Sequence, residues 1–144
     1  MDNQFSKFLD IYLDIWRESS LKDLKKLISR DYKAREIIGG DIFDFGYEES
    51  LNGWEQGFSF AKENNAQWNI NVISILPLRE NETMAILSAT LIIQGKSIET
   101  ANLFFQTFKK DSINDWKLVR SYIEAGIPFI STNTVLFNKD TKVK

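Results

Sequence analysis

The sequence predicts an α+β domain in which helices lie across one face of a curved antiparallel sheet. Three observations carry this expectation. Apolar residues recur at helical spacing through most of the first 63 residues. From Trp68 onward, Ile-, Val- and Phe-rich segments follow one another with only short turns between them, the pattern of an antiparallel meander. The chain is 144 residues long, 43% hydrophobic and 26% charged, which suits one globular domain.

The first helix is read from Phe5, Phe8, Leu9, Tyr12, Ile15 and Trp16, with Lys7, Asp10, Asp14 and Arg17 on its outer face. Ser20 offers an N-cap, with Asp23 three residues on. Leu21, Leu24, Leu27 and Ile28 form the stripe of a short second helix. A strand is expected from Tyr32 to Ile38, broken by Gly39-Gly40, then a short strand or extended loop over Asp41 to Gly46. The third helix runs from about Glu48 to Glu63, with Leu51, Trp54, Phe58 and Ala61 on one face. Gly53 and Gly57 weaken it by about 1 kcal/mol each relative to Ala, which points to close packing against a neighbour.

The expected strands of the second half are Trp68 to Leu76, ended by Pro77; Thr83 to Gln94; Ser97 to Lys110; and Trp116 to Ala125. Gly126-Ile127-Pro128 closes a single domain over residues 1–128. Residues 129–144 form a C-terminal extension, with a short strand at 134–137 before a frayed polar tail. Both faces of the segment Thr83 to Gln94 are aliphatic, so the sheet needs cover on both sides. A homodimer through the sheet face left bare by the helices is the expected partner.

Absent residue types narrow the chemistry. The chain has no Cys and no His, which excludes disulfides, thiolate nucleophiles, Cys-His metal sites and every His-based triad. Net charge is −2, without the basic excess of a nucleic-acid binder. No apolar run approaches the roughly 18 residues of a membrane span, and the N-terminus lacks a basic targeting region. The expectations are a cytoplasmic protein with no nucleic acid, membrane, metal or cofactor partner. The 11 Phe, 4 Tyr and 4 Trp supply material for a core or for pocket walls.

The element order, together with Phe105-Gln106-Thr107-Phe108-Lys109-Lys110 and Trp116-Lys117-Leu118-Val119-Arg120-Ser121-Tyr122, resembles the SnoaL-like branch of the nuclear-transport-factor-2-like superfamily. Its members include ketosteroid isomerase, scytalone dehydratase, polyketide cyclases and the association domain of the calcium/calmodulin-dependent kinase. The resemblance implies a cone-shaped, cystatin-like α+β barrel with three helices of the N-terminal half on the concave face of its sheet, enclosing a pocket. It also implies dimers formed through the sheet. In the most similar subgroup the last strand commonly ends Trp-Lys-Ile-Val-His-Ser-His. Here Arg120 and Tyr122 occupy the two His positions, so no His-dependent mechanism carries over.

If strand parity follows the family, Arg120, Tyr122 and Glu124 face the cavity together. Arg120 then binds a carboxylate or polarises a carbonyl, Tyr122 donates to a developing enolate, and Glu124 takes a proton. The plainer reading is an Arg120–Glu124 ion pair beside a packed Tyr122. Asp41 and Asp44 fall near the expected pocket mouth, with loop and turn capping as their plainer role. The catalytic candidates are therefore Tyr122, Glu124 and Asp44. The ligand-binding candidates are Tyr12, Trp16, Trp54, Phe58, Arg120 and Tyr122, with Trp68 as a further wall. Asn102 and Gln106 lie on a mixed face suited to a wet cavity or a dimer contact.

The implied function is binding of a small hydrophobic molecule, with cofactor-free isomerase, cyclase or dehydratase chemistry on a hydrophobic carbonyl compound. The alternative is a non-catalytic dimerisation or assembly module with a vestigial pocket. An open cavity reaching Arg120 and Tyr122 favours the first. A cavity filled by Trp16, Trp54 and Phe58 favours the second.

Overall fold

The computed structural model describes residues 3–128; the strand expected at 134–137 lies outside them. Helix α1 spans Asn3–Arg17, α2 Leu21–Leu24 and α3 Tyr47–Glu63, with a 3₁₀ turn at Lys25–Leu27. Strands are β1 (Ile28–Ile38), β2 (Asp41–Gly46), β3 (Gln67–Arg79), β4 (Glu82–Ile93), β5 (Lys96–Ser97), β6 (Thr100–Lys110) and β7 (Trp116–Pro128).

Helix α1 forms because its apolar stripe has a sheet to cover. Phe5, Leu9, Tyr12, Leu13 and Trp16 are all buried. It ends where Ser19 turns left-handed, at φ 55°. There the Ser20 amide donates to Ile15 O at 3.2 Å and the Ser19 amide to Trp16 O at 2.9 Å, a Schellman closure. Ser20 then caps α2, accepting from the Asp23 amide at 3.4 Å. That helix is a single turn, because Ile28 already belongs to β1. Helix α3 begins with the Glu49 carboxylate accepting from the Gly46 amide at 2.9 Å.

The sheet runs β2-β1-β7-β6-β4-β3, with β5 paired to β4. The chain returns from β6 through β7 to lie beside β1, and β1·β7 is parallel. The sheet is therefore mixed rather than wholly antiparallel. It is also unclosed, since β2 and β3 are its two ends. Gly39 and Gly40, at φ 56° and 90°, form the two-residue β1–β2 turn that needs positive φ twice.

Two expected strand ends are corrected. Pro77 does not stop β3; it pairs with Thr83 next to a register shift, which an edge strand tolerates because a missing N–H there breaks no inner ladder. Gly126, Ile127 and Pro128 extend β7, Ile127 and Pro128 pairing with Ala101 and Thr100.

One irregularity sets the geometry of the last strand. Thr107 pairs with Arg120 and Phe108 with Leu118, leaving Val119 as an extra residue. A one-residue insertion switches the faces of everything after it. Trp116 and Leu118 point into the core before the bulge, and Ser121 and Ile123 do so after it. Arg120 and Tyr122 consequently lie on the outer face. Urea denaturation checks this placement. Ile123→Ala should cost about 2–4 kcal/mol, as buried Ile truncations do, and Tyr122→Ala less than about 1 kcal/mol. An unbulged strand continuing the Leu118 parity predicts the reverse order.

Candidate functional site

Between the inner sheet face and helices α1 and α3 lies an open cavity of about 360 Å³, within the usual size of small-molecule sites. Its aromatic wall is built around Trp16, 1% exposed. The ring of Trp16 meets Trp54 edge-on at 4.8 Å and Phe104 at 5.2 Å, and Trp68 at 6.0 Å. Phe58 and Phe45 extend the wall along α3 and β2. The space persists because the backbone opposite these rings carries small side chains. Ala89 lines the cavity from β4, and Gly53 and Gly57 line it from α3. A Cβ at Gly53 would meet nothing within 4 Å, and one at Gly57 would sit 3.8 Å from the Trp68 ring. Gly57 thus keeps a neighbour at ordinary contact distance, whereas Gly53 borders open space instead of the close packing its sequence position suggested.

Polar groups are few. Gln106, buried on β6, accepts from the Tyr12 phenol at 2.8 Å, so its amide N–H₂ is the end left to face other partners. Burial pushes that phenol well above its ordinary pKa. The indole N–H of Trp16 is buried with no hydrogen-bond partner among the described residues, a state that costs about 1–3 kcal/mol. Burial raises the Tyr32 phenol to about 12, with the Ser121 hydroxyl beside it acting in the opposite sense. Ser121 Oγ stays outside full hydrogen-bond geometry and is itself unpartnered. Asn102 is held by the Gly126 amide, which donates to Oδ1 at 2.9 Å.

Two carboxylates line the cavity, Glu36 and Glu49. Glu49 is committed to the Gly46 amide at the start of α3. Glu36 is half-buried, with no hydrogen bond or ion pair to another described residue, and desolvation raises its pKa. Its position follows from β1, where Tyr32, Ala34 and Glu36 share the inward parity while Lys33 and Arg35 point out. A carboxylate third in an inward series after Tyr and Ala was the sequence signal that would have found it.

The predicted site residues divide between two faces. Trp16, Trp54, Phe58 and Trp68 line the cavity, with Asn102 and Gln106. Tyr12 does not; it sits behind the wall and fixes Gln106. Arg120, Tyr122 and Asp44 are not in the cavity either. They come together in an outer-face groove of about 630 Å³ with Arg35 and Lys33, because the Val119 bulge inverts the parity from which a cavity position was expected.

The predicted site residues there are paired. Arg120 Nη2 donates to Glu82 Oε2 at 2.8 Å, and Arg79 Nη1 to Glu82 Oε1 at 2.6 Å. These hydrogen bonds hold the Glu82 carboxyl below its usual range. Arg35 grips Asp44 through two bonds, at 2.7 and 2.9 Å, which lowers the Asp44 pKa. The Tyr122 phenol donates to Glu124 Oε2 at 2.6 Å. Arg120 therefore pairs with Glu82 rather than with Glu124.

Glu36 supplies a pH test. A carboxyl whose folded pKa is raised releases its proton more readily when unfolded, so it costs stability as pH rises from the ordinary Glu value upward. Glu36→Gln should melt higher than wild type at pH 7, and the difference should vanish below about pH 4. Equal melting temperatures at pH 7 would contradict the assigned desolvation.

No family model matches the sequence, and no curated protein does. Solved structures do resemble the fold. A nuclear-transport-factor-2-like protein of unknown function from Shewanella oneidensis superposes with a TM-score of 0.64 at 14% identity, over 85% of this chain and 97% of that one. An uncharacterised protein with a cystatin-like fold from Caulobacter vibrioides gives 0.65 at 10% identity, over 94% and 96%. A putative calcium/calmodulin-dependent protein kinase type II association domain from Thiobacillus denitrificans gives 0.61 at 16%, over 81% and 90%. At these identities the likeness establishes the cystatin-like, nuclear-transport-factor-2-like fold and nothing finer. No helix among the described residues is long and apolar enough to cross a membrane.

Proposed function

We propose that this protein binds a small, largely apolar molecule in the cavity beneath α1 and α3, oriented by a hydrogen-bond acceptor on the ligand. The observation that carries this reading is an open hollow of about 360 Å³ whose walls are mostly aromatic, with Gln106, Asn102 and Glu36 among its few polar groups. A packed core fills such space. A ligand oxygen would meet the Gln106 amide N–H₂, whose oxygen is taken by Tyr12, as apolar surface is buried against the rings. Trp16, Trp54 and Phe58 form the walls without filling the interior, which supports binding over a vestigial pocket, but the cavity does not reach Arg120 and Tyr122 as that reading expected.

The same residues bear on chemistry. Glu36, with its raised pKa and no bound partner, can accept a proton from a ligand carbon or heteroatom lying over β1. Isomerase, cyclase or dehydratase activity on a hydrophobic carbonyl compound would have to run through this carboxylate and the nearby donors. Arg120, Tyr122, Glu124 and Asp44 are committed to one another and to Glu82 and Arg35 on the opposite face.

Titration with the neutral fluorophore N-phenyl-1-naphthylamine tests binding. Wild type should show saturable, single-site enhancement. Gly53→Phe, which directs a ring into space that is empty around its Cβ, should abolish it while keeping a cooperative melt. Absent enhancement in wild type, or equal enhancement in the variant, refutes the reading.

A specific observation supports self-association as a second property. Met84, Ile86, Phe105, Leu103 and Tyr122 lie in adjacent register positions on the outer face, forming an apolar stripe no element of the described chain covers. Sedimentation should give twice the 16.7 kDa chain mass at micromolar concentration, and Phe105→Glu should return it to the monomer. A wild-type monomer at that concentration removes this proposal.

A further inference from the structure

The cavity's charge is as one-sided as its walls are aromatic. Seven of its 16 lining residues are aromatic, two are Glu, and none is Lys or Arg. The nearest basic side chains on β1, Lys33 and Arg35, line the outer groove with Arg120, and the latter two are occupied by Asp44 and Glu82. On β1, Lys33 and Arg35 face the outer groove, Arg30 lies over the Tyr47 ring outside the cavity, and Glu36 faces the hollow.

We infer that the ligand of this cavity carries a positively charged amine or quaternary ammonium group, seated against the aromatic rings with Glu36 as its counter-ion. This rests on the binding reading above and names the class of molecule that reading leaves open. Aromatic faces attract cations through their quadrupole, the more so when the group is removed from water. A half-buried carboxylate without a partner is an unfavourable state that an opposite charge relieves. Desolvation is the cause acting on Glu36; no guanidinium or ammonium among the described residues offsets it. An anionic ligand would meet two carboxylates and no counter-charge. A neutral one would leave Glu36 as it stands. Glu49, engaged with the Gly46 amide, adds to the negative field at the mouth without being free to close on a cation through that oxygen.

The experiment is displacement of bound N-phenyl-1-naphthylamine from the full chain by three molecules of one shape: 2-phenylethylammonium, 2-phenylethanol and phenylacetate. The ammonium ion should displace the probe at about tenfold lower concentration than the alcohol, with phenylacetate the poorest of the three. In Glu36→Gln the ratio of ammonium to alcohol should fall to near one, and in Glu36→Lys phenylacetate should become the best. If the alcohol or phenylacetate matches the ammonium ion in wild type, or if the cation preference survives Glu36→Gln, the inference is wrong while the binding site stands. If the probe itself finds no saturable site, both the inference and the reading beneath it are wrong.

Discussion

The constraint on which the rest depends is that the sheet's inner face must be kept dry by helices that do not fill it. Trp16 is where this is settled. Its ring is in edge contact with rings from α3 and β6 and close to one from β3, so it fixes the separation between the helical layer and the sheet. Tyr12, Phe5 and Phe108 close the other end of the layer completely. Large rings there hold the layers apart, and Ala89 with Gly53 and Gly57 leaves the space between them open. Aromatic truncations in such clusters typically cost about 3–5 kcal/mol, so the wall of the hollow and the stability of the domain are one structure.

That coupling explains the distribution of polar groups. The Trp16 and Trp116 indole N–H groups and Ser121 Oγ are buried without partners among the described residues. The outer face is arranged differently. Its arginines are matched to acids, Arg35 with Asp44 and both Arg79 and Arg120 with Glu82. The exposed Arg35–Asp44 pair contributes little stability. What these ion pairs accomplish is to occupy the charges of a face whose centre is apolar.

The comparison with solved structures bears on the frame and leaves its contents open. Proteins at 10–16% identity superpose over most of the chain, because a long bent sheet with two helices across it tolerates almost any residues that preserve inward and outward parity. The cavity lining holds rings and carboxylates with no basic residue. That composition is a property of this chain.

Periodicity along the chain was enough to determine α1 and α3, the succession of strands and most of the aromatic wall, because each of these is a local pattern of one element; it placed Ile28 in α2 and Tyr12 in the wall, where neither lies. Trp16, Trp54, Phe58 and Trp68 could be read as wall residues for that reason. The mixed sheet could not, since the β1·β7 pairing joins segments about ninety residues apart and leaves no mark on either. Nor could the fate of Arg120 and Tyr122. Alternation assigns faces only as far as the first bulge, and the extra residue at Val119 exists only in relation to β6. Glu36 shows the same division. Its inward parity was legible, but its lack of a counter-ion is decided by every element around it, and so by the tertiary structure alone.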